Sequence, residues 1–179
     1  MFYQTTYSSP VGRLTLASDG ESLTGLWLEN QKYFAENFPE TWNSNHHLSV
    51  FKATKKWLDD YFDGEQPAIT ELPLAPKGSE FRQAVWRLLQ EIPYGQVITY
   101  GEIAKKIAAE MGRVSMSSQA VGGAVGHNPI SIIIPCHRVV GSNGSLTGYA
   151  GGLANKIKLL TLETVEMTDL YLPQHGTAR

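Results

Sequence analysis

The only cysteine of this chain, Cys136, stands in the run Pro135-Cys136-His137-Arg138. Free cysteines are most often small, inert core residues, so the neighbouring residues decide whether this thiol reacts. Cys136 follows a β-branched run and is expected at the end of a strand, where connecting segments present reactive side chains. His137 and Arg138 would lower the pKa of an adjacent thiol from its ordinary value of about 8.5. The pattern therefore favours a reactive cysteine.

Two further ionisable residues, Lys156 and Glu163, lie on the last predicted helix. A carboxylate at a helix C-terminus meets the helix dipole unfavourably, so Glu163 points either into solvent or to a partner such as His137. Successive strand residues point to opposite faces, which makes a direct bond between Cys136 and His137 difficult. A bridging water would let His137 act as a base at a distance, with Glu163 holding its other nitrogen. The expected arrangement is a Glu–His–water–Cys relay.

Other cysteine chemistries fit the sequence poorly. A tyrosine-phosphatase loop needs Cys-x5-Arg, but Ser142 stands six residues after Cys136. A thioredoxin-like redox pair needs a second cysteine, and the chain has one. The other histidines carry no context that supports a papain-like protease, and there is no Walker-type phosphate loop.

The elements that must position these residues follow from local patterns. Ile130–Ile134 is predicted to be a buried strand that Pro135 ends. The run 149–152 (Tyr-Ala-Gly-Gly) opens the last helix, whose inner face carries Leu153, Ile157 and Leu160. The predicted strand leads directly to Cys136, and the predicted helix carries Lys156 and Glu163.

Upstream, the sequence predicts two helices with clear start signals and a third that is unusual. Ser79 caps a helix from Glu80, and Thr99 with Glu102 forms a capping box. The segment 119–126 (Gln-Ala-Val-Gly-Gly-Ala-Val-Gly) has poor helix propensity but little bulk. It is interpreted either as the second helix of a helix-turn-helix that lies on DNA or as a close helix–helix contact in the core.

The first part of the chain indicates an antiparallel meander over residues 2–28, followed by a helix over 48–62. Residues 73–78 are the candidate linker. The predicted organisation is an N-terminal domain over 1–77, a second domain over 78–165, and a tail over 166–179.

Length and composition set the class of protein. The chain has 179 residues, 42% hydrophobic and 18% charged, with a net charge of −2. Residues 1–77 carry 6 basic against 10 acidic side chains, while residues 78–165 carry 8 against 5. This imbalance argues against nucleic-acid contact in the first part and permits it in the second. A lone thiol, no signal peptide and no apolar run long enough for a membrane predict a cytoplasmic, soluble protein.

At this point the run 134–139 (Ile-Pro-Cys-His-Arg-Val) resembles the signature of the O6-alkylguanine-DNA alkyltransferases, also called methylated-DNA–protein-cysteine methyltransferases. The resemblance extends from about Gly78 to Glu163, through five blocks in the right order: 81–86, 92–100, 120–124, 126–129 and 148–152. It implies an α+β fold, with an RNase H-like N-terminal antiparallel sheet and helix. A mostly helical, winged-helix-like C-terminal domain would contain the helix-turn-helix.

The resemblance also implies roles. Cys136 would accept an alkyl group from O6 of guanine in an in-line displacement, in a single turnover, with O4 of thymine left open as a second donor. His137 would be the water-mediated base and Glu163 its orienter. Tyr100 would help to turn the nucleotide out of the duplex and protonate N3 of the departing guanine, and Lys156 would lie close to the thiolate.

Further roles concern the pocket and the DNA. Asn128 would tie the recognition helix to the active-site strand, and Tyr149 and Ala150 would supply the pocket wall and an amide near O6. The carbonyls of Cys136 and Val139 would accept from the exocyclic amine of guanine. Contacts to the minor groove of duplex DNA are expected from Gln119, Ala120, Gly122, Gly123 and Arg138. No cofactor or metal is implied, and the protein would act as a monomer.

One position departs from the family pattern. The family commonly has an arginine where this chain has Gln119, and an amide gives up the charge and the stacking of a guanidinium. We therefore expect altered DNA binding with the chemistry retained. Two alternatives stay open. The first is a non-catalytic binder of alkylated DNA on the same scaffold; such proteins carry another residue in place of the thiol, so the presence of Cys136 argues against it. The second is a regulator whose thiol senses alkylation.

Overall fold

The computed structural model describes residues 1–36, 38–39 and 42–172. Its N-terminal part contains a sheet in the order β3-β2-β1-β4, formed by β1 (Tyr3–Ser9), β2 (Gly12–Ser18), β3 (Leu23–Leu28) and β4 (Asn43–Ser44). The first three strands pair antiparallel, which confirms the meander, and β4 adds to β1 in parallel. The short β4 was not predicted, because two polar residues carry no strand pattern.

Helix α1 (Ser49–Phe62) covers this sheet. Its buried side chains recur at helical spacing, and Phe51, Leu58 and Tyr61 are almost fully enclosed. They pack into one apolar cluster with Leu14 and other strand residues. The predicted helix is therefore confirmed, with its start one residue later.

The predicted linker is bonded to the sheet. The Leu23 N–H donates to the Pro73 carbonyl at 2.8 Å, and the Ala75 N–H donates to the Leu23 carbonyl at 2.8 Å. Further along β3, the Leu26 N–H donates to the Pro129 carbonyl at 2.8 Å, and the Leu26 carbonyl accepts from the Ser131 N–H. Because the edge of β3 bonds to both segments, the N-terminal sheet is bonded to the second part of the chain.

The second part consists of short helices and a two-stranded ladder: α2 (Glu80–Gln90), β5 (Ile98–Thr99), α3 (Tyr100–Glu110), α4 (Ser118–Gly126), β6 (Val139–Val140) and α5 (Leu153–Leu162). The Ser79 cap and the Thr99–Glu102 capping box are both present. Strands β5 and β6 pair in parallel, with Ile98 opposite Val139. This ladder places the start of α3 beside the segment that follows Cys136.

The run 130–134 is buried, as predicted, but it is not a strand. The Asn128 side chain accepts from the Ile130 N–H at 3.0 Å and donates to the Ile134 carbonyl at 2.8 Å. Ile130 forms one isolated bridge to Leu26, and the Asn128 bonds close the rest of the run into a turn, in which Ile132 has φ 71°. A β-branched residue rarely adopts that conformation. The β-propensity of the run reflects its burial, and its backbone partners decide its shape.

Two further features complete the described chain. Part of the tail returns to the body of the protein, since the Leu146 N–H donates to the Tyr171 carbonyl at 2.8 Å and the Tyr171 N–H donates to Gly144 at 3.1 Å. Within the described residues, none of the helices has the length and apolar character needed to cross a membrane.

Candidate functional site

Cys136 begins a single 3-10 turn, Cys136–Arg138, that follows the irregular segment. The prediction of a strand end here was therefore wrong, and the alternation of strand faces does not apply. The Cys136 N–H donates to the Ile134 carbonyl at 2.8 Å, and the Arg138 N–H donates to Pro135 at 3.0 Å. The thiol-bearing residue is only 5% exposed.

The electrostatic surroundings of the thiol differ from the expectation. Burial raises the pKa of Cys136, and hydrogen bonding to Asn128 and the charge of Lys156 offset only part of that rise. The sequence predicted a lowered pKa from His137 and Arg138. Their side chains are instead engaged by Glu163, so neither counteracts the desolvation of the thiol. Cys136 is held as a neutral thiol that needs a base.

His137 and Glu163 form a fully buried pair. His137 Nε2 lies 2.6 Å from Glu163 Oε2, and neither side chain is exposed. Burial lowers the pKa of His137, although Glu163 raises it in part. In the neutral ring the carboxylate fixes the proton on Nε2, which leaves a lone pair on Nδ1. That Nδ1 is buried and has no hydrogen-bond partner among the described residues.

Glu163 is the C-cap residue of α5, and its carboxylate accepts hydrogen bonds from three other segments of the chain. Its Oε1 accepts from Arg138 Nε at 2.7 Å and from the Gly95 N–H at 3.2 Å. Its Oε2 accepts from Tyr61 Oη at 2.5 Å, His137 at 2.6 Å and Arg138 Nη2 at 3.1 Å. Burial acts to raise the pKa of Glu163, but the bonds from His137 and Arg138 outweigh it and lower the pKa. The carboxylate is ionised at neutral pH.

Arg138 does not lie on the outer surface that its predicted DNA contact requires. Its side chain is buried, and besides its two bonds to Glu163 it donates from Nη1 to the Ile92 carbonyl at 2.7 Å. A guanidinium that is bonded on three nitrogens inside the protein is not available to a phosphate. We therefore assign Arg138 to the Glu163 carboxylate.

Lys156 is also fully buried, on α5. Its ammonium donates to the Val139 carbonyl and, at 2.8 Å, to the Thr147 carbonyl. Burial lowers the pKa of Lys156 to about 8, and Cys136 opposes this shift. The side chain stays largely protonated at pH 7 and connects α5 to β6 and to the loop at Thr147, both of which follow the thiol in the chain.

Of the three predicted pocket residues, Tyr100 and Tyr149 lie near this centre, while the contact of Ala150 is with Lys32. Tyr100 begins α3, and its hydroxyl donates weakly to the Thr147 carbonyl at 3.4 Å. Burial and Cys136 raise the pKa of Tyr100 to about 12, so it carries its proton at neutral pH. Tyr149 is buried, with its ring 6.5 Å from that of His137, and the neighbouring Ala150 accepts from the Lys32 N–H at 3.0 Å.

Helix α4 presents its small residues outward. Gln119, Ala120 and Gly123 are exposed, and a Cβ placed at Gly123 would meet nothing within 4 Å among the described residues. Val121, Ala124 and Val125 face the core on the opposite side. The outward side at Gly123 has no packing partner among the described residues, whereas the inward side makes a close helix–helix contact, in which Trp86 Nε1 of α2 donates to the Ala124 carbonyl at 2.9 Å. The core-contact interpretation therefore holds for the inward side, and the helix-turn-helix interpretation stays a prediction for the outward side. The side with little bulk is free to approach another molecule.

Sequence reasoning missed several contributors to the site. Tyr61 lies 102 positions before Glu163, and Gly95 acts through its backbone. The Gln31 side chain accepts from Ser131 at 3.0 Å, which links the N-terminal part to the turn before Cys136. These contacts depend on tertiary packing and have no local signature.

Comparison with protein families gives two matches that together span most of the chain. Residues 2–76 match the ribonuclease-like domain of 6-O-methylguanine DNA methyltransferase, and residues 80–165 match its DNA binding domain. A methylated-DNA–protein-cysteine methyltransferase of Haemophilus influenzae is 46% identical over 167 residues, covering 93% of this chain and 89% of the relative. One from Methanosarcina acetivorans is 45% identical and covers 90% of this chain and 97% of the relative.

Solved structures agree with these matches. The crystal structure of Mycobacterium tuberculosis OGT in complex with DNA has a TM-score of 0.77 and 42% identity, and the match covers 90% of this chain and 92% of that one. An O6-methylguanine DNA methyltransferase from Methanococcus jannaschii has a TM-score of 0.64 and 26% identity, and the match covers 96% and 100%.

Proposed function

Because the chain belongs to the 6-O-methylguanine DNA methyltransferase family, we propose that it repairs duplex DNA by moving an alkyl group from O6 of guanine to Cys136. The single observation that carries this assignment is the buried Glu163–His137 pair, which leaves a lone pair on Nδ1 of the residue that follows the only cysteine. A neutral thiol with a poised base is what a displacement at carbon requires.

The first step activates the sulfur. The thiol proton passes through one bridging water to His137 Nδ1, while Glu163 stabilises the imidazolium that forms. The side chain of Asn128 and the charge of Lys156 stabilise the developing thiolate, since both favour ionisation of Cys136. The sulfur then attacks the alkyl carbon in line with the bond to O6.

The second step releases guanine. The carbon–O6 bond breaks with its electron pair on the purine, and Tyr100 donates its hydroxyl proton to N3. The proton held on His137 passes through solvent to the Tyr100 phenolate, and the proton on N3 of guanine moves to N1 by exchange with solvent. The products are an S-alkyl thioether at Cys136 and unmodified guanine. Since a thioether has no ready leaving group, each chain reacts once.

The burial of Cys136 dictates how the substrate arrives. A thiol that is 5% exposed is out of reach of a base inside a stacked duplex, so the nucleotide must rotate out, at a cost of a few kcal/mol. The exposed glycine–alanine side of α4 suits the minor groove, where readout is degenerate and little sequence preference results. We also propose that the protein acts as a monomer. We place the activity in the cytoplasm, where a free thiol stays reduced.

Intact-protein mass spectrometry tests the proposal, after the full chain has been mixed with duplex DNA containing one O6-methylguanine. We expect one added methyl group, which peptide mapping locates on Cys136, and none on a Cys136→Ser variant. A shift in DNA mobility without any gain of mass would instead indicate a non-catalytic binder. Methyl addition to another residue would also overturn the assignment.

A further inference from the structure

Tyr61 brings the N-terminal part of the chain into the site. It lies on α1, is 1% exposed, and donates its hydroxyl to Glu163 Oε2 at 2.5 Å. Its ring stacks on Trp57 with centroids 5.5 Å apart and an interplanar angle of 9°. The edge of Phe62 fixes it further, at 5.2 Å and 83°. A ring held on these sides gives its hydroxyl a single direction.

The oxygen that receives this hydroxyl is the one that binds the base. Glu163 Oε2 accepts from Tyr61 at 2.5 Å and from His137 Nε2 at 2.6 Å, with a longer bond from Arg138 at 3.1 Å. Burial and the charge of Glu163 raise the pKa of Tyr61, so it stays a neutral donor throughout the pH range of interest. Tyr61 and His137 therefore compete for the same negative charge.

We propose that Tyr61 is a positioning residue for alkyl transfer, whose hydroxyl fixes the Glu163 carboxylate and limits how strongly that carboxylate attracts a proton onto His137. This inference rests on the proposed function. Removal of the hydroxyl leaves more charge on Oε2 for His137, which favours the imidazolium. As the pH falls, His137 of the variant then becomes protonated at a higher pH than in the wild type. The neutral base is therefore available over a narrower pH range.

The other groups around His137 set the baseline for this effect. Glu163 favours its charged form, whereas burial and the cations Arg138 and Lys156 disfavour it. Tyr149 approaches with its ring at 6.5 Å. Among these groups the Tyr61 hydroxyl is the one that acts on the carboxylate from the N-terminal part, and it can be removed without changing a formal charge.

The test is a Tyr61→Phe variant of the full chain, which keeps the stacked ring. Single-turnover methyl transfer is measured against pH, and the His137 ring is titrated by NMR. We expect the acid limb of the rate profile and the pKa of His137 both to rise by about half a unit to one unit. On the acid limb of the profile, transfer should be several-fold slower than in the wild type, and above that limb it should recover towards the wild-type rate.

Two further variants keep the result interpretable. Tyr7→Phe removes another tyrosine–carboxylate bond, from Tyr7 Oη on β1 to Asp59 on α1 at 2.6 Å. This variant should leave the rate profile unchanged. Site-specific incorporation of a fluorotyrosine at position 61 preserves the hydroxyl but makes it a stronger donor, so the pKa of His137 should fall.

The inference is overturned if Tyr61→Phe lowers only the stability, with the rate profile and the His137 titration unmoved. It is also overturned if the fluorotyrosine shifts the titration upward. Failure of the wild-type chain to acquire a methyl group would instead refute the proposed function. The NMR titration would still report on the role of Tyr61 in that case.

Discussion

At the scale of single residues, burial holds Cys136 as a neutral thiol, which under the proposed mechanism stays unreactive until His137 removes the proton. Burial raises the pKa of Cys136, while burial lowers the pKa of His137 and keeps the ring neutral. The negative charge of the site resides on Glu163, which three side chains and one amide stabilise. A thiol in this state resists adventitious oxidation and alkylation, since the thiolate is the reactive form.

The charge of Glu163 makes a prediction for stability. Glu163→Gln leaves the buried Arg138 without its counter-ion, and we expect a loss of about 3 kcal/mol in the free energy of unfolding at pH 7. The pKa of Glu163 is lowered on folding from its ordinary 4.5. Its contribution is therefore complete above that value and declines as the pH falls through the lower folded one. Denaturant unfolding at pH 7 and pH 3 should show a smaller cost at pH 3.

An exposed carboxylate provides the control for this measurement. Glu21 lies on the surface, with no side-chain partner among the described residues, and Glu21→Gln should be nearly neutral at both pH values. An equal cost of Glu163→Gln at pH 7 and pH 3 would show that the carboxylate acts through shape alone.

Residue-scale prediction from the sequence succeeded where the signal was local. The conflict of Glu163 with the helix dipole left two options, solvent or a partner such as His137, and the structure shows the His137 partner. The partner of Arg138 was missed because nothing near it in sequence is acidic. Tyr61 was missed because its apolar spacing on α1 is fully explained by core packing, and only the tertiary fold brings its hydroxyl to the site.

At the scale of elements, the α3–α4 pair and the turn before Cys136 matter most. The starts of α2 and α3 could be predicted from their capping residues, because a cap is a contact between residues two or three positions apart in the sequence. The run 130–134 was misread as a strand, since β-branched residues report burial and not hydrogen-bond partners. Asn128 bonds to both ends of that run, which makes it a turn and directs the chain into the Cys136–Arg138 segment.

The exposed glycine of α4 gives a prediction in which stability and binding move in opposite directions. Gly123→Ala adds a Cβ that meets nothing within 4 Å in the described structure, so the helix should gain roughly 0.5–1 kcal/mol. The same Cβ would intrude on a minor groove that lies against α4, so affinity for duplex DNA should fall. Denaturant unfolding and fluorescence anisotropy measure the two effects. Equal or tighter DNA binding would place the duplex elsewhere.

Gln119 gives a second prediction for the same face. It is exposed at the start of α4, and Gln119→Arg adds one positive charge there. We expect tighter DNA binding and a log–log salt dependence that is steeper by about 0.9, as for one additional phosphate contact. Titrations at a series of salt concentrations give this slope. An unchanged slope would show that position 119 does not face the DNA.

At the scale of the whole molecule, the N-terminal part does more than support the fold. One apolar cluster includes residues of both parts, the edge of β3 bonds to the segments around Pro73 and Pro129, and Tyr61 contacts the carboxylate behind the base. The division of charge agrees with this arrangement, since the acidic residues concentrate in the part without α4. The sequence indicated two parts, but not their shared core, because pairing at the edge of β3 is a long-range property.

The most direct test of the account is a titration of the full chain with an excess of duplex DNA that carries O6-methylguanine, in which the restored guanine is counted against time. The account predicts a plateau at about one guanine per chain, matched by one methyl thioether at Cys136. Continued restoration of guanine beyond that plateau, or any restoration of guanine by a Cys136→Ser variant, would contradict it.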